Sequence, residues 1–151
     1  MTSRGQITIA PAGRAARHIT LQIGTGPAER VRHPDHLRGH IYRAQVTQIG
    51  FTGEPGIAVE ALPPAAGTAK RAERGIRLRV RNETVVLSKA VTNALTRAIF
   101  DTCIHNEGRT IIWRGSAIHL RCPGAGHTRR ERFPVCLRCD EAPAAWRTRR
   151  A

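Results

Sequence analysis

The sequence predicts an α+β fold, with a mainly antiparallel β-sheet domain, one amphipathic helix and a cysteine-rich hairpin near the C-terminal end. Segments in which apolar and polar residues alternate, as they do in half-buried strands, fill the first half of the chain. One stretch near residue 90 changes to the spacing of a helix that buries one face. Three of the four cysteines lie close together, between residues 122 and 139.

Alternation and turn residues define the elements of the first half. Residues 6–10 and 18–24 are predicted to be the first two strands. Turn-forming residues crowd the segment 24–39, which is therefore predicted to be a long loop. Two further strands are predicted over residues 40–51 and 56–62.

A basic connector over residues 63–75 leads into a second hairpin, "IRLRVRNETVVL". Ile76, Leu78 and Val80 alternate with three arginines, so the two sets are expected on opposite faces of the strand. The turn is predicted at Asn82 and Glu83, and "TVVL" returns as the second strand.

The helix is predicted over about residues 89–103, because Ser88 is a good N-cap and apolar residues follow at helical spacing. The apolar stripe consists of Ala90, Val91, Ala94, Leu95, Ala98, Ile99 and Thr102. Cys103 is expected to be a buried core thiol, and the helix to end near Gly108. A β-hairpin through Gly115 then leads into Cys122.

Three regions follow from this pattern. Residues 1–109 are predicted to form a β-rich domain that contains the helix, residues 110–142 a cysteine-containing module, and residues 143–151 a basic tail. No apolar run approaches the ~20 residues that a membrane span needs, and the N-terminus lacks the apolar core of a signal peptide. A cytoplasmic location, or a virion, is therefore expected.

The strongest global signal is a net charge of +14, and 23 of the 25 basic residues are Arg. Such a charge favours polyanionic partners, and guanidinium groups suit phosphate and carboxylate. A GC-rich genome explains Arg in place of Lys, but explains less well why Arg so exceeds Asp and Glu.

The C-terminal cysteines have the spacing of a metal site. The pattern is Cys122-x4-His127-x8-Cys136-x2-Cys139. Thiolates and imidazoles are the ligands that structural Zn²⁺ prefers, and Pro123 and Pro134 favour the tight turns that bring such ligands together. One zinc ion is therefore predicted, with His119 as the alternative to His127. Unmetallated thiols in a small core are the other interpretation.

The order of elements over about residues 113–142 is strand, knuckle, loop and knuckle. This order resembles a zinc ribbon in a version with three Cys ligands and one His ligand. The first knuckle departs from the usual Cys-x2-Cys. A second resemblance, to zinc-dependent deaminases, comes from "HNE" and "PVCLRC". It implies zinc on His105, Cys136 and Cys139 with Glu107 as the acid/base, although Val135 interrupts the Pro-Cys pair and a helix ends where that family begins one.

Three groups of basic residues are predicted to contact nucleic acid. They are Arg77, Arg79 and Arg81; Arg129, Arg130 and Arg132; and Arg147, Arg149 and Arg150. For the first group, the ordinary polar face of a half-buried strand explains the pattern equally well. A further cluster, His33, Asp35, His36 and His40, is interpreted as a solvated loop more readily than as a metal site.

Together these features favour a non-enzymatic protein that binds DNA or RNA, or a nucleoprotein complex, and carries structural zinc. By analogy, the setting is a transcription factor or phage regulator. The alternative is a structural or assembly protein of a virion or other large complex, in which the basic surface meets an acidic protein or packaged DNA. The deaminase is the second alternative.

Overall fold

A computed structural model describes residues 4–13, 18–47, 51–62, 75–115, 117–122 and 127–130, which form ten strands and two helices. The elements in order are β1 (Arg4–Pro11), β2 (Ile19–Ile23), β3 (Glu29–Val31), α1 (Pro34–Thr47), β4 (Phe51–Glu54), β5 (Ile57–Ala61), β6 (Ile76–Val80), β7 (Glu83–Leu87), α2 (Lys89–His105), β8 (Arg109–Arg114), β9 (Ala117–Cys122) and β10 (His127–Arg130). The predicted α+β class is confirmed. Neither of these helices has the length and apolar composition to cross a membrane.

The strands form two antiparallel sheets. The larger sheet has the order β10-β9-β8-β1-β2-β3, and the smaller has the order β4-β5-β6-β7. The predicted hairpin through Gly115 is present as β8 and β9, but β8 also pairs along its length with β1. The hairpin that begins the predicted C-terminal module therefore continues the sheet of the N-terminal region.

The predicted helix is confirmed as α2. The Ser88 hydroxyl accepts a hydrogen bond from the Val91 N–H at 3.3 Å, which caps the helix start. The helix ends at His105, beyond the predicted residue 103 and before Gly108, because Asn106 adopts the left-handed conformation and its N–H bonds to the Thr102 carbonyl at 2.9 Å.

The predictions for residues 24–51 are wrong in part, because α1 occupies positions assigned to a loop and a strand. Pro34 stands at the first helical position, where its missing N–H costs nothing. Leu37, Ile41 and Ala44 follow at helical spacing and are buried. The described part of the chain therefore has two helices where the sequence predicted one.

The helices and sheets enclose one core. α2 packs on β1, β2 and β8 and also touches β7, whereas α1 packs on β4, β5 and β6 and against α2. Alternate residues of the larger sheet are buried in this core: Ile7, Ile9, Ile19, Leu21, Val31, Arg109, Ile111, Trp113, Ile118 and Leu120. The other residues of these strands are half-buried or exposed, so the sheet has one core face and one outer face.

Two glycines have opposite roles. Gly5 lies opposite Trp113 in the β1–β8 ladder, and a Cβ on Gly5 would lie 2.5 Å from the indole ring. The glycine is therefore required for the burial of Trp113. Gly39 lies inside α1, and a Cβ there would meet nothing within 4 Å. Its presence lowers helix stability without any packing reason.

We expect Leu95→Ala to lower the free energy of unfolding by ~2–5 kcal/mol, because Leu95 is fully buried under the sheet. Chemical denaturation measures the change. Lys89→Ala, at an exposed position of the same helix, serves as the control and should change stability by less than ~0.5 kcal/mol. Equal effects would mean that α2 does not pack as described.

We expect the two glycines to respond oppositely to the same substitution. Gly39→Ala should stabilise the protein by ~0.5–1 kcal/mol, since alanine favours the helix and its methyl group has room. Gly5→Ala should destabilise it, since the methyl group displaces the indole of Trp113. Thermal unfolding of both variants tests the pair, and changes of the same sign would contradict the described packing.

Candidate nucleic-acid interface and metal ligands

The outer face of the six-stranded sheet is polar and basic. Its described side chains come from alternate positions of five strands: Arg4, Gln6, Thr8, Ala10, Thr20, Gln22, Arg30, Thr110, Ile112, Arg114, Ala117, His119 and Arg121. Four of them are arginine and none is Asp or Glu. Because every carboxylate of the described residues lies elsewhere, the positive charge of this face is not neutralised within it.

The four outer-face arginines are exposed, and none forms an ion pair with a described residue. Arg4 and Arg114 are Cα partners on neighbouring strands. Arg121 of β9 is the Cα partner of Thr110 of β8, and β9 lies on the side of β8 away from β1. Like charges directly opposite each other on a sheet are destabilising, so a bound anion between Arg4 and Arg114 would remove an unfavourable interaction.

The predicted ladder Arg77, Arg79 and Arg81 is largely neutralised. Arg77 Nη1 lies 3.1 Å from Glu60 Oε2, and Arg81 Nη1 lies 3.2 Å from Glu29 Oε1. Arg81 also leaves the strand face, because it forms the turn after β6 with a φ of 59°. Of the three, Arg79 is exposed and has no ion pair with a described residue.

The other two predicted basic groups are described only in part. Arg129 and Arg130 lie in β10, where they are the Cα partners of Leu120 and His119. By this register position 130 falls on the face of His119, which is the outer face, and position 129 on the face of Leu120, which is the core face. Arg132, Arg147, Arg149 and Arg150 lie outside the described residues.

Two of the predicted zinc ligands are brought together by the backbone. His127 is the Cα partner of Cys122 in the β9–β10 ladder, whereas the partner of His119 is Arg130. Positions 119 and 122 are three apart in one strand, and positions at odd spacing fall on opposite faces of a sheet. Cys136 and Cys139 lie outside the described residues.

The histidine cluster of residues 33–40 lies at the start of α1 instead of in a loop. The rings of His33 and His36 stack with centroids 5.2 Å apart. Burial lowers the pKa of His40, and the charges of Arg43 and His36 lower it further. Among the described residues, no group of three or more His, Cys, Asp or Glu could hold a metal ion.

Two residues of the deaminase resemblance, His105 and Glu107, lie at or just after the end of α2, whereas Cys136 and Cys139 lie outside the described residues. His105 is the last helical residue, and β8 begins at Arg109, so a strand follows Glu107 where that pattern implies a helix. Cys103, predicted to be a buried core thiol, is half-buried and packs at the margin of the core. The described residues thus give the deaminase alternative no support.

Arg109 lies on the core face of the larger sheet. Its side chain is fully buried, and Nη1 donates to the Glu107 carbonyl at 2.8 Å. Nε and Nη2 have no hydrogen-bond partner among the described atoms. Because Arg109 is buried, it cannot contact a nucleic acid. Whether an arginine of this sheet can do so therefore depends on the face on which its position lies.

Sequence reasoning missed the four outer-face arginines because they belong to four strands that are distant in the chain. The only signal was that each alternates with buried apolar residues of its own strand. No protein-family model, curated protein or solved structure matches the chain. By its geometry the chain is a two-sheet α+β protein with a basic sheet face, and that face is the feature that bears on function.

Proposed function

We propose that the protein binds nucleic acid through the outer face of its six-stranded sheet. One observation carries the proposal: Arg4, Arg30, Arg114 and Arg121 share a face with no carboxylate among the described residues. Their charges are exposed and lack the acidic partners that neutralise the ladder on β6.

Phosphate contacts account for the expected mode of binding. Arginine donates hydrogen bonds to phosphate oxygens in a planar fork, and Thr and Gln side chains on the same face are further donors. Such contacts release counterions from the polymer, so binding weakens steeply as salt rises. They carry no sequence information, and we therefore propose binding that depends on charge more than on base sequence.

We also propose one structural Zn²⁺ bound by Cys122, His127, Cys136 and Cys139. Cα atoms of directly opposed residues in an antiparallel ladder are about 4.5–5.5 Å apart. Zinc bonds of about 2.3 Å to sulfur and 2.0–2.1 Å to nitrogen fit ligands from such a pair. The β9–β10 register therefore favours His127 over His119 as the fourth ligand. The ion would hold β10 against β9 at the edge of the sheet.

Elemental analysis of protein purified without added metal is expected to give about one equivalent of zinc. His127→Ala and Cys136→Ser should lose it, whereas His119→Ala and Cys103→Ser should retain it. Metal-free protein, or zinc retained by His127→Ala and lost by His119→Ala, would contradict the proposed ligand set.

The nucleic-acid proposal predicts a difference between two double variants of equal charge. Arg114→Gln with Arg121→Gln removes two charges from the outer face, and Arg77→Gln with Arg79→Gln removes two from the smaller sheet. Fluorescence anisotropy with 20-residue DNA and RNA, single- and double-stranded, measures affinity over a salt series. The outer-face variant should flatten the salt dependence by about two units of slope, one for each lost phosphate contact.

The control variant should change the slope little, since Arg77 already pairs with Glu60. An equal reduction of the salt-dependence slope in both variants would mean that the polymer responds to the net charge of the protein and not to a defined site. If the parent protein binds none of these polymers at low salt, the proposal fails and the assembly-protein alternative becomes the leading one.

A further inference from the structure

A groove runs between the two helices, on the side of α2 away from the sheet. α1 and α2 lie antiparallel: the Arg38 guanidinium stands 4.7 Å from the centre of the Phe100 ring, and Gln45 donates a hydrogen bond to Asn93 at 3.3 Å. The Arg38–Phe100 contact divides the groove into two clefts. The larger cleft, of about 460 Å³, is bordered by Gly39 and Tyr42. The smaller, of about 290 Å³, is bordered by Phe100 and Ile104.

Large apolar side chains are exposed along this groove. Tyr42 is 61% exposed, Ile104 58% and Phe100 37%. Single exposed apolar residues are common on protein surfaces, but Phe100 and Ile104 are neighbours one turn apart on α2 and border the same cleft, as apolar residues do at interaction sites. Tyr and Arg are also the residue types most enriched among the energetic centres of protein interfaces. The chemistry of the groove is therefore that of a protein-binding surface.

Gly39 keeps the larger cleft open. Glycine inside a helix costs about 1 kcal/mol relative to alanine, and neither crowding nor a positive φ requires it here. Any larger side chain at this position would project into the open space beside Tyr42. The residue that lowers the stability of α1 is thus also the residue that leaves room for a ligand in the larger cleft.

Arg38 lacks a good acceptor for its guanidinium. Its Nε is buried and has no hydrogen-bond partner among the described atoms. The nearest acid is Asp35, whose Oδ1 lies 3.6 Å from Nη1, beyond hydrogen-bond distance, and whose side chain is 85% exposed. The Arg38 side chain is 35% exposed, so its Nη groups can pair with an incoming carboxylate in place of the distant Asp35.

We propose that the groove binds a short acidic peptide segment of a partner protein, with one carboxylate on Arg38 and an apolar side chain in the cleft beside Phe100 and Ile104. The chain's charge of +14 favours an acidic partner and opposes a second copy of the chain. From Asp35 to Gln45 the groove is about 15 Å long, which suits about three turns of helix. The basic sheet face lies on the other side of α2, so both surfaces are accessible in one molecule.

The test selects random 12-residue peptides displayed on phage against the full chain, with counter-selection on the Gly39→Leu variant. The expected peptides contain an acidic residue near a large apolar one. A synthetic copy should bind at least tenfold more weakly to Gly39→Leu and to Arg38→Gln than to the parent. Arg79→Gln, which removes the same charge outside the groove, is the matched control and should bind like the parent.

Replacing the acidic residue of the peptide by its amide should weaken binding to the parent. It should not weaken binding to Arg38→Gln further, because that variant already lacks the pairing between Arg38 and the carboxylate. Tyr42→Ala, an exposed change, replaces Gly39→Leu if that variant does not fold. The proposal is overturned if no peptide is enriched, if the peptides lack an acidic residue, or if Arg38→Gln and Arg79→Gln weaken binding equally. A dimer of the parent that Tyr42→Ala dissociates would assign the groove to a second copy instead.

Discussion

The packing of α2 on one face of the six-stranded sheet is the constraint on which the other features depend. Ile99 and Leu95 bury themselves against alternate residues of β1, β2 and β8, so every second side chain of those strands belongs to the core. The remaining side chains must lie on the outer face. This division buries Arg109, exposes Arg114 on the same strand, and so determines which positive charges a polyanion can reach.

Periodicity alone was enough to predict most strands and α2, because their apolar residues recur at two and at 3.6 positions. It failed for α1, whose buried positions include Pro34, Ala44 and the polar Gln45. These residues add little to the difference in hydrophobicity between the two faces of the helix. The segment "HIYRAQV" also alternates apolar and polar residues as a strand would. A helix that buries small and polar residues against another helix is visible only once its neighbours are known.

The site was harder to predict than the fold because it depends on strand order. No acidic residue interrupts the segment from Arg77 to Arg81, but folding brings Glu60 from 17 and Glu29 from 52 residues away. Arg4 and Arg114 are even more distant in sequence, yet they are directly paired on β1 and β8. In contrast, Cys122 and His127 are paired across neighbouring strands and lie only five positions apart. Their spacing in the sequence was therefore enough to predict that these two residues lie close together.

Nuclear magnetic resonance offers the most direct test of the basic face, by titration of labelled protein with a 20-residue nucleic acid. We expect the amide shifts to concentrate in β1, β8 and β9, around Arg4, Arg114 and Arg121, and to diminish as salt rises. The helices should change little, because they lie on the other side of the sheet. Shifts centred on β6 and β7, or on α1 and α2, would contradict the claim that the outer face of the six-stranded sheet binds the polymer.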